Sequence, residues 1–218
     1  MDMSKQFLIA IVVSILALFG IYTLTSKDDA DTSGKTNTGT SAKLSNNVIG
    51  ANSKKVTLVE YGDFQCPACG QYHPLVKQII DKYQNDIEFQ FRNYPLQEIH
   101  PNARAASRAA EAAAKQNKYW EMHDLLYEQQ DSWKASTSAN TVFEGYASQL
   151  GLDAAKYKTD FASTEVNATI NADFAEGTKL GVNSTPTFFL QGKKIEQNPQ
   201  TAEDFYKLID QAIKDVKN

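Results

Sequence analysis

The 218-residue sequence is poor in cysteine and histidine, with two of the first and three of the second, and it has no excess of positive charge: 22 Lys and Arg stand against 26 Asp and Glu, a net charge of −4. That balance leaves no basic field to gather phosphates, which sets nucleic acid aside as a partner. The shortage of ligands disfavours a metal centre. A structural zinc site takes four Cys or His ligands, and Cys66, Cys69, His73, His100 and His123 fall at spacings unlike a ribbon or a finger. Heptads and internal repeats are also missing, so no dimerisation segment is expected and the protein reads as a monomer.

Charge is absent altogether from Phe7 to Leu24, "FLIAIVVSILALFGIYTL". Eighteen residues at about 1.5 Å each span roughly 27 Å, close to one hydrocarbon core, and a core helix would keep a polar face. The following "TSKDDADTSG" offers no small-residue cleavage pattern, so residues 1–25 read as an uncleaved signal-anchor rather than a signal peptide. No cysteine ends the segment, which excludes lipid attachment there. Lys5 precedes it, whereas Lys27 is followed by Asp28, Asp29 and Asp31, which places the N-terminus inside and the remaining chain on the extracytoplasmic side of the cell membrane. Residues 26–52 have few large apolar side chains and many Ser, Thr, Asn and Gly; they read as a flexible tether, with Leu44, Val48 and Ile49 able to order part of it as a cap.

The folded region is expected over 53–218. "KKVTLVEYG" is a short β-branched strand ending at Gly62, and a helix begins after it, where Pro67 suits the first turn because its missing N–H would be unpaired anyway. A second strand follows from Ile87, then a helix-rich block of roughly eighty residues read from periodicity, in which 100–130 forms one helical stretch and further helices occupy 139–150, 153–161 and 163–180. Strand character returns at "TPTFFLQGKKI", whose Gln191-Gly192 can turn a hairpin, and Ala202 to Val216 closes the chain as an amphipathic helix.

Both cysteines therefore sit at a strand-to-helix junction, spaced i and i+3, close enough to bridge. A structural staple closing a two-residue loop gains little, and the metal reading lacks ligands. Electron exchange uses what the position supplies: helix-end N–H groups that favour a thiolate at Cys66, and a partner thiol one turn on to resolve a mixed disulfide.

From residue 54 to the C-terminus the sequence resembles the DsbA-like thiol:disulfide oxidoreductases of the thioredoxin-fold superfamily. The resemblance rests on Cys66-Pro67-Ala68-Cys69 after "VEYGDFQ", on Pro74 eight residues beyond Cys66, on "NKYWEMHDLLYEQQDSW", and on "GVNSTPTFF". It implies an α/β thioredoxin fold with core 53–96 and 176–218, and with 97–175 as an inserted helical subdomain. Cys66 would be the exposed attacking sulfur and Cys69 the buried resolving one. Pro186 would be cis, leaving the Thr185 backbone beside Cys66 to bind substrate peptide, and Glu60 would be a buried acid exchanging protons with Cys69. A solvent-facing Glu60 remains the alternative. Pro67 and Ala68 would tune the couple. Where strongly oxidising relatives carry histidine, Ala68 has no side-chain donor, so a weaker oxidant is expected. His73 reads as packing or solvated rather than catalytic, as do His100 and His123, and Trp120, Trp133, Phe143 and Tyr146 read as core rather than as a substrate groove.

The function implied is a membrane-anchored dithiol oxidase that donates the Cys66–Cys69 disulfide to reduced secreted or membrane-exposed proteins and is reoxidised by a membrane redox partner. It would need no organic cofactor or metal, because sulfur carries the electrons. A reductase or isomerase on the same scaffold, or a non-catalytic peptide-binding module, is the alternative.

Overall fold

Alternation decides the two central strands. In β2 (Val56–Gly62) the side chains of Val56, Leu58 and Glu60 share a buried face, and β3 (Ile87–Asn93) repeats the pattern with Ile87, Phe89 and Phe91. The strands run parallel, Leu58 opposite Phe89 and Glu60 opposite Phe91, so their buried faces merge. Parallel pairing requires a crossover, here α1 (Pro67–Tyr83), which buries Cys69, His73, Val76 and Ile79 and carries Pro74 in its interior. These coordinates, a computed structural model, describe residues 43–216. The apolar run Phe7–Leu24 and most of the expected tether lie outside the described residues, and among the described residues no helix is long and apolar enough to cross a membrane.

After β3 come α2 (Ala103–Ala114), α3 (Tyr119–Glu128), α4 (Gln130–Trp133), α5 (Ala139–Gln149), α6 (Ala154–Ala162) and α7 (Thr164–Lys179); β4 (Thr187–Leu190), β5 (Lys193–Lys194) and α8 (Ala202–Val216) complete the chain. With β1 (Val48–Ile49) the described residues form a five-stranded sheet ordered β1-β3-β2-β4-β5. The β4–β5 hairpin turns at Gln191-Gly192, both at positive φ, as a two-residue turn requires. Phe205 and Ile209 of α8 join α1 and the insertion in one apolar core over the Leu58 face. Tyr61, Tyr94, Val182 and Phe189 form a smaller cluster opposite.

Three boundaries differ from the sequence reading. The helical stretch expected over 100–130 is divided into separate helices, because Asn117 adopts a left-handed conformation and the Lys118 N–H bonds back to the Ala113 carbonyl at 3.0 Å, ending α2. Helix α7 runs unbroken through residue 175, where the insertion was expected to end, and its Glu176 accepts from the Tyr61 hydroxyl at 2.7 Å.

The third difference concerns the tether, which becomes part of the fold well before residue 52. Val48 and Ile49 pair antiparallel with β3. Ser45 and Asn47 are buried, the Ser45 N–H donating to Asp173 at 2.9 Å and the Asn47 amide to Glu111 at 2.7 Å. Asn93 also donates to both carboxylates. The stretch has few large apolar side chains, yet it is ordered, because Val48 and Ile49 pair with β3 and the buried acids on α2 and α7 require donors. Burial pushes Glu111 up to about 7 against the bonds from Asn47 and Asn93. Asn47→Ala removes one of those donors from a buried oxygen and is expected to lower stability by about 1–3 kcal/mol, read as a lower urea midpoint; an unchanged midpoint would mean that this stretch is only a tether.

Candidate active site

Strand β2 delivers the chain to the site. The Asp63 carboxylate accepts from the Gln65 N–H at 2.8 Å, from the Leu96 N–H at 2.9 Å and pairs with His100 Nδ1 at 2.7 Å, while the Asp63 carbonyl accepts from the Cys66 N–H at 3.0 Å. This closes the turn that starts α1 at Cys66, whose extended backbone (φ −66°, ψ 123°) makes it the cap. Pro67 is exposed and Ala68 half-buried beyond it.

Both cysteines are free thiols. Cys69 is fully buried, and Cys66, expected to be exposed, shows only 7% of its surface. The cause is the segment before β4. Thr185–Pro186 is a cis peptide, both residues are buried, and Cys66 Sγ donates to the Thr185 carbonyl at 3.3 Å. Asn198 steadies that segment by donating to the Pro186 carbonyl at 2.8 Å.

The two sulfurs are made chemically unlike. A hydrogen bond from the Cys69 thiol, and against the cost of burial the Thr185 side chain and the Cys69 and Ala68 backbone N–H groups, bring Cys66 down to about 5 from an ordinary 9.0. The Thr185 hydroxyl is buried and has no other partner, so it is free to donate once the thiolate forms. Ala68 thus does contribute a donor, from its backbone rather than its side chain. Cys69 is pushed well above its ordinary value by burial, by the hydrogen bond it gives to Cys66 and by the charges of Glu60 and Cys66, with the Asp63 backbone N–H opposing. Cys66 is the thiolate at neutral pH and Cys69 keeps its proton.

Glu60 is buried at 3% exposure, which excludes the solvent-facing alternative. Burial and then the Cys66 charge raise it to about 8, so near neutrality it holds a proton on the face of the sheet beneath Cys69. Sequence reasoning placed Cys66, Cys69, Glu60, Thr185 and Pro186 as candidates, and the structure brings all five together. It missed Asp63, although that residue stands within the quoted "VEYGDFQ", and Gln130, whose position on a four-residue helix carries no sequence signal.

His73 and His123 are buried rather than solvated, and both approach Asp124 Oδ1, at 3.0 and 3.1 Å. Burial opposes its charge, but bonds from His123, His73 and Lys77 hold Asp124 well below the usual carboxylate range. Among the described residues, His73, His123 and Asp124 form the group that could hold a metal, with ligand atoms within 4.8 Å of one another. However, His73 Nε2 and His123 Nδ1 are already partnered by Asp124, and Lys77 Nζ sits 3.0 Å from Asp124 Oδ2, a cation beside the place a metal would take, while His123 Nε2 is buried without a partner. Trp133 and Phe143 are core, and Trp120 pins β1 through the Val48 carbonyl at 3.1 Å.

The family model described as Thioredoxin matches residues 43–211. The chain belongs to the thioredoxin family. Within it, a solved thioredoxin-like oxidoreductase from Silicibacter pomeroyi DSS-3 is 30% identical, with a TM-score of 0.64 over 77% of this chain and 91% of that one. Oxidised BdbD from Bacillus subtilis, at 22% identity, superposes with a TM-score of 0.68 over 77% of this chain and 92% of its own. The α-DsbA1 protein of Wolbachia pipientis, at 19%, superposes at 0.67 over 80% and 94%. These last two show the fold. The fold is the one these structures share, and it carries the Cys66–Cys69 pair at the start of α1. Among curated proteins, the Na(+)/H(+) antiporter NhaA 1 of Salinispora arenicola is 38% identical over 147 residues, which are 67% of this chain and 22% of that protein. An NhaA antiporter of Herminiimonas arsenicoxydans is 30% identical over 148 residues, again 22% of its length. The chain therefore spans less than a quarter of these relatives.

Proposed function

We propose that this protein is a membrane-anchored, extracytoplasmic dithiol oxidase. The observation that carries the reading is the unequal setting of the two thiols, Cys66 at the start of α1 with its Sγ 3.3 Å from the Thr185 carbonyl and Cys69 fully buried, which brings Cys66 down to about 5 and keeps Cys69 protonated. A thiolate that forms about two pH units below neutrality favours the reduced domain by about 3 kcal/mol at pH 7, which for a two-electron couple is about 60 mV toward a stronger oxidant.

In the oxidising direction, a substrate thiolate attacks Cys66 Sγ and the Cys66–Cys69 bond breaks. Cys69 leaves as a thiolate and takes a proton, which the buried Glu60 carboxylic acid supplies. A second substrate thiolate then attacks the substrate sulfur of the mixed disulfide, and Cys66 leaves as its stable thiolate. Two electrons pass from two substrate thiols to the protein dithiol. A low leaving-group pKa at Cys66 makes this second step fast. Reduced secreted or membrane-exposed proteins are the substrates, and a membrane redox partner removes the electrons. Anchoring is supported by the uncharged run Phe7–Leu24 and by relatives named as antiporters in which a matching domain is one part of a longer protein.

The test is the reduction potential against glutathione, together with stoichiometric oxidation of a reduced unfolded protein. A disulfide-donating potential, but a less oxidising one than histidine-containing relatives show, is expected because Ala68 supplies only its backbone donor. A potential near that of thioredoxin, about −270 mV, would make the protein a reductase, and a potential equal to those relatives would refute the role given to Ala68.

A further inference from the structure

The three residues before Cys66 are gripped by the helical insertion. Gln130 Nε2, from α4, donates to the Phe64 carbonyl at 2.7 Å and to the Cys66 carbonyl at 3.0 Å. Gln65 donates to the Lys134 carbonyl at 2.7 Å and accepts from the Asn102 N–H at 2.6 Å, and the Asn102 amide donates in turn to the Ser136 carbonyl at 2.9 Å. Gln130 and Gln65 are 8% and 7% exposed, so these bonds are made out of reach of competing water. The Trp133 indole, fully buried and donating to the Leu126 carbonyl at 2.9 Å, fixes the far end of α4.

We propose that Gln130 is a positioning residue of the dithiol: by holding the Phe64 and Cys66 carbonyls it fixes the turn from which Cys66 attacks and leaves. The Cys66 carbonyl already accepts the first helical bond of α1, from the Gly70 N–H at 3.1 Å. Its second acceptor site is buried and is satisfied by Gln130. The peptide it belongs to leads into Pro67, which has no N–H, so the positive end of the Gln130 amide is the donor brought to this peptide unit from outside α1. That partial positive charge, and the locked turn that aims the Ala68 and Cys69 N–H groups at Cys66 Sγ, both favour the thiolate. The same contact explains Gly70. A Cβ there would lie 3.0 Å from Gln130 Oε1, closer than packed atoms allow without movement, so the residue after Cys69 must be small for the amide to reach the carbonyls. The insertion, which the sequence presents as bulk beside the thioredoxin core, thus reaches into the redox site with one side chain.

The inference rests on thiol–disulfide exchange at Cys66 and is tested separately from it. In Gln130→Leu the donor is lost at similar volume; in Gln130→Glu an acceptor faces two carbonyls and adds negative charge. Thiolate absorbance against pH should show the Cys66 midpoint raised by about one pH unit in the first and more in the second. The equilibrium with glutathione should shift about tenfold, which is about 30 mV toward a weaker oxidant. Gly70→Ala, which displaces the amide without removing it, should shift both quantities in the same sense by less, and it keeps the inference testable if the Gln130 variants do not fold. Lowered thermal stability with an unchanged midpoint and glutathione constant would reduce Gln130 to a structural clamp and overturn the proposal. Failure of the unaltered protein to exchange with glutathione would instead overturn the functional reading on which it rests.

Discussion

Cys66→Ser is expected to abolish exchange entirely, whereas Cys69→Ser is expected to leave a protein that reacts once and accumulates mixed disulfides. The asymmetry follows from the two environments. Cys66 is the thiolate, held by the Cys69 thiol, the Thr185 side chain and the N–H groups at the start of α1. Cys69 is buried, protonated at neutral pH and able to act only within the pair. A serine hydroxyl at position 66 is not ionised near neutrality and cannot form a bond to substrate sulfur, so no residual rate is expected in the oxidation of a reduced unfolded protein. Mass spectrometry of Cys69→Ser should show the substrate joined at Cys66. Turnover by Cys66→Ser equal to that of the parent would remove the catalytic reading and leave a peptide-binding module with an inert cysteine pair. The same acidity sets a pH dependence. A folded value lowered from 9.0 to about 5 stabilises the reduced state above the unfolded value, and that contribution is lost as pH falls through about 5. In a Glu60→Gln background, which removes the other group whose protonation follows the redox state, reduction above that point takes up one proton for two electrons, so the potential should change by about 30 mV per pH unit; below it two protons are taken up and the slope should double. A slope unbroken between pH 4 and 7 would show that Cys66 is not the low-pH thiolate.

Much of this site is legible in sequence because its parts are local or carry backbone signatures. A cysteine followed by proline at a strand end marks a helix start, whereas Thr185-Pro186 ahead of "TFF" points to the segment that crosses Cys66 only through the family resemblance. Glu60 is legible in part: it stands in the register of Val56 and Leu58, but only the structure decides its burial over the solvent-facing alternative. What stays hidden depends on tertiary partners. Ser45 and Asn47 have the composition of a linker and become structure only because Asp173 and Glu111, more than sixty residues away, need donors. The cover over Cys66 comes from residues about 120 positions on, so no local pattern could distinguish a sulfur 7% exposed from an open one. Gln130 is a further case: a glutamine in "EQQDSW" looks like a solvated helix position until α4 is docked against α1.

Glu60→Gln is expected to make the protein more stable and slower. Glu60 is titrated from an ordinary 4.5 up to about 8 by burial first and by the Cys66 charge second. For an acid whose folded value is raised, the unfolded chain releases its proton first. The fold therefore keeps its full stability below about pH 4.5 and loses it progressively as pH rises toward 8. At pH 7 the gap from 4.5 corresponds to about 3 kcal/mol, an upper figure because the unfolded reference and local relaxation both reduce it. Glutamine has the same shape and does not titrate, so Glu60→Gln should gain up to that amount over the parent at neutral pH and about nothing near pH 4, as read from denaturant midpoints at the two pH values. The rate should move in the opposite sense. Without a proton donor beneath it, Cys69 must leave as a buried anion, and the step that breaks the Cys66–Cys69 bond should slow by about a hundredfold, the lower end of what a positioned acid contributes. The Cys66 charge is one of the two causes of the raised value and exists only in the dithiol form. Oxidation should therefore lower the Glu60 midpoint and shrink the neutral-pH stability gain of Glu60→Gln, so the gain is expected to be larger in reduced than in oxidised protein. Equal stability of parent and variant at pH 4 and 7 would mean that Glu60 is ionised and compensated in the fold, and an unchanged rate would mean that Cys69 receives its proton from elsewhere. A carboxyl that costs stability and speeds exchange is retained for its chemistry, which is the sense in which a buried, unpaired acid in an apolar strand marks a functional position.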